Sequence, residues 1–125
     1  MNKVSFYAMV VFYLVAGLNH FLNPEFYLPL IPGYLPKPHL LNLMSGLAEV
    51  GLALTLLFRS TRRWAALGIV CMLVTFIPAH LHFIQAGHCV GNLCVPPWVG
   101  WARLLIIHPV LIGWAWKARG FSEAV

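Results

Sequence analysis

The sequence predicts an all-α integral membrane protein, a four-helix bundle with its N- and C-termini on the cytoplasmic side. Three observations lead there. Hydrophobic residues make up 61% of the chain and charged residues only 9%, against roughly 25% charged in soluble globular domains. Four apolar runs, each close to the roughly 20 residues a helix needs to cross the hydrocarbon core, nearly exhaust the 125 positions together with their short connections. The basic residues fall between those runs, where they orient a chain in a bilayer.

The spans read as residues 4–22, 39–58, 64–85 and 101–116, so residues 1–125 form a single four-transmembrane-helix domain. The first run, Val4 to Leu22, resembles a signal peptide in position, but it is long and ends in Asn19-His20-Phe21 without a small-residue cleavage site. It therefore reads as a retained helix. Five prolines (Pro24, Pro29, Pro32, Pro36, Pro38) then interrupt residues 23–38; each removes a donor and fixes φ. A loop or broken segment at headgroup level follows, because its other residues, among them Phe26, Tyr27, Leu30 and Ile31, are apolar or aromatic.

The second run closes on Arg59-Ser60-Thr61-Arg62-Arg63 and the third starts at Trp64, a spacing that makes antiparallel neighbours. A Gly-containing stretch, 86–100, leads to the fourth run, which closes on Lys117 and Arg119. One side of the layer then holds Lys3, Arg59, Arg62, Arg63, Lys117 and Arg119, and the other holds Lys37 and Arg103. That asymmetry puts the first side in the cytoplasm of a bacterial inner membrane. The net charge of +5 forms no stripe interleaved with polar groups, so nucleic acid is not an expected partner. The bilayer is.

Polar groups inside apolar runs carry the functional information. Glu49 lies about ten residues into the second span, near mid-bilayer at roughly 1.5 Å per residue. An ionised acid there costs about 2.5 to 3.5 kcal/mol on insertion scales and marks a site by default. Ser45 and Gly46, one turn earlier, make the same face small. Arg103, just inside the fourth span, is expected to reach inward and pair with Glu49. His20 shares a helical stripe with Tyr13 and Gly17. His80 and His82 point about 200° apart, so only one can face the bundle centre; His82, one turn past the kinking Pro78, is the expected one.

The expected catalytic, proton-transferring set is Glu49, His20 and His82, and the expected ligand-binding set is Arg103, His80, Ser45 and Tyr13. His108, deep in the fourth span, is left as structural or unassigned, and Cys71 reads as packing. No HxxxH or ExxH spacing occurs, so no metal is expected. Cys89 and Cys94 flank a turn-like stretch in an exterior loop. They are expected to form a structural disulfide, with a redox-active pair as the alternative.

The string Gly17-Leu-Asn-His20-Phe-Leu-Asn-Pro24, then Ile31-Pro32 with Tyr34-Leu35-Pro36, Ser45-Gly46-Leu-Ala-Glu49, Arg62-Arg63, Phe76-Ile-Pro78-Ala-His80-Leu-His82 and Trp101-Ala-Arg103-Leu resembles the DoxX-like family of small membrane proteins. It departs from the family at His80, where Asn is usual, and in Leu104 to Pro109. The resemblance implies a four-helix membrane fold and, for some relatives, a subunit of quinone-linked sulfur or thiol oxidation systems or of redox-stress complexes.

The leading expectation is thus a redox-associated membrane subunit that binds a lipophilic molecule, a quinone being the expected cofactor, in an outer-half pocket. Partner subunits of a membrane redox complex, and further copies of the chain, are the protein partners considered. A self-contained acid/base isomerase or hydrolase of a lipid-soluble substrate is the first alternative. A non-catalytic assembly protein is the second.

Overall fold

A computed structural model describes residues 1–90 and 93–123. The described residues are mostly helical, with one short antiparallel ladder between Cys89–Val90 and Leu93–Cys94. Helix α1 runs Lys3–Leu22, α2 Pro24–Tyr27, α3 Pro38–Leu56, α4 Arg62–Thr75, α5 Ile77–Gln85, α6 Pro97–Ala102 and α7 His108–Ala118. A 3-10 turn, Leu28–Leu30, follows α2, and a π-helical segment, Arg103–Ile107, joins α6 to α7. Four helical spans, Lys3–Leu22, Pro38–Leu56, Arg62–Gln85 and Pro97–Ala118, are long and apolar enough to cross a membrane.

The first helix starts where Asn2 accepts a hydrogen bond from the Ser5 amide, closing one orphan donor of the first turn. Helix α3 starts on Pro38, a residue that gives up no needed donor in the first turn. The fourth span begins at Pro97 rather than Trp101, for the same reason.

Helices α1 and α3 cross closely because two glycines meet there. A Cβ added at Gly46 would lie 2.8 Å from His20 Cβ and 3.0 Å from the Gly17 carbonyl; one added at Gly17 would lie 2.9 Å from the Gly46 carbonyl. Without side chains at these two positions the backbones touch, as small-residue crossings do in membrane bundles. His20 and Glu49 flank that crossing.

The apolar core occupies the end of the bundle that carries both termini. Phe6, Met9 and Val10 of α1 pack with Ala53 and Leu56 of α3, Ala65, Ala66 and Ile69 of α4, and Ala115 and Ala118 of α7. Arg62 closes this end. Read from sequence as a topology-setting loop cation, it is 2% exposed. Its Nε donates to the Leu56 carbonyl at 2.9 Å and its Nη1 to the carbonyls of Phe121 and Glu123 at 3.0 and 2.9 Å. The guanidinium carbon also lies 4.7 Å from the Phe6 ring centroid. One side chain thereby satisfies carbonyls left open at the end of α3 and ties down the C-terminal segment.

At the opposite end two spans are broken. The third, predicted as one kinked helix over 64–85, is two helices separated at Phe76, whose amide turns back to the carbonyls of Met72 and Leu73. Pro78 contributes no amide to repair the ladder. His108 bridges the break from α7, its Nε2–H donating to the Leu73 carbonyl. In the fourth span the His108 amide bonds to the Arg103 carbonyl, five residues back, just before Pro109. Such π-turns are commonly found at functional sites.

Within residues 23–38, expected as a loop or broken segment, Pro24–Leu30 folds as α2 and the 3-10 turn, with Pro24 and Pro29 at initiating positions, and residues 31–37 form turns before α3. Cys89 pairs with Cys94 across the short ladder, and the two are joined by a disulfide. Cys71, expected to pack inside, is exposed.

Two substitutions and one control test this arrangement. Arg62→Ala leaves several carbonyls without donors and should cost on the order of 3 kcal/mol, read as a loss of resistance to denaturant in micelles. Gly46→Ala forces α1 and α3 apart at an overpacking cost of about 1–3 kcal/mol, whereas Gly51→Ala, which meets nothing within 4 Å, should be neutral.

Candidate functional site

Between the glycine crossing and the two broken spans lies a cavity of about 280 Å³. His20 enters from α1, Asn42, Ser45 and Glu49 from α3, Thr75, Phe76 and His80 from the break between α4 and α5, and Arg103 from the π segment. Tyr27, Leu30, Ile31 and Leu35 of the folded-back proline-rich segment cover it. The wall is otherwise apolar.

The polar side of the wall is built in layers. Asn42 Nδ2 donates to the His20 backbone carbonyl at 2.9 Å. Because a carbonyl only accepts, the amide NH₂ must face it, and Asn42 Oδ1 is left 2.7 Å from His20 Nδ1. Nδ1 therefore carries a proton and donates it. The other ring nitrogen, Nε2, lies 3.5 Å from Glu49 Oε2. All three residues are buried. With Nδ1 committed to Asn42, Nε2 is the ring nitrogen that faces the carboxyl group; a proton on Glu49 with Nε2 free leaves both groups neutral, and the same proton on Nε2 leaves both charged. Glu49 Oε2 has no hydrogen-bond partner among the described residues.

Tyr27 stacks on the His20 ring with centroids 3.8 Å apart, and its hydroxyl accepts from Asn19 Nδ2 at 2.6 Å. Burial pushes the Tyr27 phenol above its ordinary pKa, so it stays neutral. Ser45 lines the cavity with its hydroxyl donating to the Leu41 carbonyl. Arg103 borders the cavity from the opposite helix, its guanidinium 5.2 Å from the Phe83 ring centroid.

Three expectations need correction. His82 does not line the cavity; His80 does, edge-on to His108 at 4.6 Å between centroids. The break at Phe76 resets the helical phase, so α5 turns His80 inward and its neighbour two positions on outward. Arg103 makes no ion pair with Glu49 among the described residues; His20, across the tight α1–α3 crossing, reaches the carboxyl instead. Tyr13, expected in the ligand set, is 1% exposed in the apolar core and outside the cavity wall. His108, left unassigned, supports the helix break.

Asn42 and Tyr27 went unread. Asn42 precedes Glu49 by seven residues, two helical turns on the same stripe, and that spacing was the available signal. Tyr27 had no comparable signal, since only the fold of the proline-rich segment lays it on His20. Among the described residues no cluster of three metal-ligating side chains occurs.

The chain belongs to a family described as Domain of unknown function (DUF8561), which matches residues 9–119. No curated protein and no solved structure matches it.

The tautomer argument is directly testable. In ¹⁵N-histidine-labelled protein, the His20 Nδ1 should show the protonated, pyrrole-type shift. Asn42→Ala should abolish that preference and cost about 1–3 kcal/mol through the unsatisfied His20 groups; an unchanged spectrum would contradict the assignment.

Proposed function

We propose that this DUF8561 protein is a multi-pass protein of the bacterial inner membrane, termini in the cytoplasm, that binds a quinone head group in the cavity and exchanges protons with it. The observation that carries the reading is the His20–Glu49 pair, fixed by Asn42, set in the wall of an apolar cavity.

The membrane placement is supported by what the surface exposes. Val4, Leu22, Leu105, Ile106 and Val110 are each more than 60% exposed, a large apolar surface that would be costly in water. Trp64 and Trp116 are exposed at the terminus end and Trp98 and Trp101 at the other, as expected of rings at two interfaces.

Quinone reduction and quinol oxidation pair each electron with a proton, so a site needs a proton-exchanging group beside an apolar slot. Here the slot has room for a ring-sized head; a long tail would leave between helices toward lipid. Glu49 and His20 place an acid and a base side by side in the cavity wall, so a proton can be delivered to or taken from a bound head group there. Arg103, with a permanent positive charge, favours an anionic oxygen on the far side. Electrons would come from a partner subunit of a membrane redox complex, the role that the resemblance to DoxX-like proteins implies.

The test is the quinone content of protein purified from membranes in mild detergent. Wild-type protein should retain quinone, and Glu49→Gln, which keeps the shape but removes the exchangeable acid, should lower retention by ~10-fold through the lost charge-assisted contact. Absence of quinone from the wild type, or equal retention by the variant, would remove the proposal.

A further inference from the structure

A second cavity, of about 430 Å³, lies at the terminus end of the bundle and is lined by Arg63, Trp116, Lys117, Arg119 and Gly120. We infer that it is a binding site for the phosphodiester head group of an acidic phospholipid. The inference rests on the membrane reading above, but not on the quinone.

Three cations share this cavity without a carboxylate side chain among them. The chain has only three acidic residues. Glu25 lies in α2, Glu49 belongs to the first cavity, and Glu123 is held 3.5 Å from Lys3. The neighbouring Arg62 uses its donors on backbone carbonyls. Among the described residues no carboxylate lines this cavity, and Arg63, Lys117 and Arg119 repel one another unless an anion joins them. Arg119 is already posed to receive one. Its guanidinium carbon stands 3.8 Å from the Trp116 ring centroid, which fixes the plane of the fork. A phosphate, with several acceptor oxygens, matches that planar set of donors.

The surroundings favour a lipid over a soluble phosphate. Trp116 and Trp64 are 49% and 71% exposed, the rings expected at headgroup level. Further along α7, Val110 is 62% exposed, an apolar surface along which acyl chains can lie. Juxtamembrane cations on the cytoplasmic face are the groups that acidic lipids recruit.

The experiment uses the full chain in micelles containing equal amounts of phosphatidylglycerol and phosphatidylcholine, with bound lipid quantified after purification. Phosphatidylglycerol should be enriched, and the double variant Lys117→Gln/Arg119→Gln should lose about 5-fold of that preference per charge removed. Lys37→Gln, a cation outside this cavity, should keep it. Arg63→Gln, on an exposed side chain, supplies a second readout if the double variant does not fold. Equal retention of the two lipids by the wild type, an unaltered preference in the variants, or an equal loss in Lys37→Gln would overturn the inference. Displacement of the lipid by millimolar inorganic phosphate would overturn the lipid assignment in favour of a free-phosphate site. Failure of the membrane reading would look different: the protein would stay in solution without detergent.

Discussion

A carboxyl group ten residues into an apolar helix depends on the protein itself for company, and one close helix crossing brings a histidine ring to within 3.5 Å of it. Gly17 and Gly46 let α1 and α3 touch backbone to backbone, and only at that separation does the His20 ring reach Glu49. Asn42 then locks the ring by gripping both its backbone carbonyl and its Nδ1. The chain of dependence runs from two absent side chains to one fixed tautomer. Move the helices apart by the width of a methyl group and the proton-sharing pair is lost.

The bundle divides its labour along its length. The terminus end is conventionally packed, with aromatic and small aliphatic side chains closed by Arg62. The other end gives up regular helix twice, at Phe76 and over Arg103–Ile107. Those irregularities are not independent, because His108, the residue that closes the π-turn through its amide, also supports the first break through its ring. In hydrocarbon, irregular backbone is tolerated only where it is buried in protein or lines a cavity. Both breaks border the same cavity, in keeping with that rule.

Much of this was legible from residue types alone. Run length and composition marked four helices of spanning length, and the prolines marked where helix could not continue, because both signals are local. Glu49, His20 and Arg103 stood out for a physical reason, the cost of placing them in an apolar run. The errors were of phase and reach. Choosing between His80 and His82 required the rotation introduced at Phe76, and pairing Glu49 with Arg103 assumed that opposite charge decides the partner, when backbone proximity at the glycine crossing decides it. The burial of Arg62 was not legible because two of its acceptors, the carbonyls of Phe121 and Glu123, are 59 and 61 positions away. Nothing local announces them.

The claim on which the rest depends is that His20 and Glu49 act as one unit, and a double-mutant cycle measures that most directly. Unfolding free energies of the wild type, His20→Leu, Glu49→Leu and the double variant should show a coupling energy of at least ~1 kcal/mol, as for buried residues in direct contact. Effects that simply add, within about 0.3 kcal/mol, would mean that the two side chains are neighbours without sharing a proton.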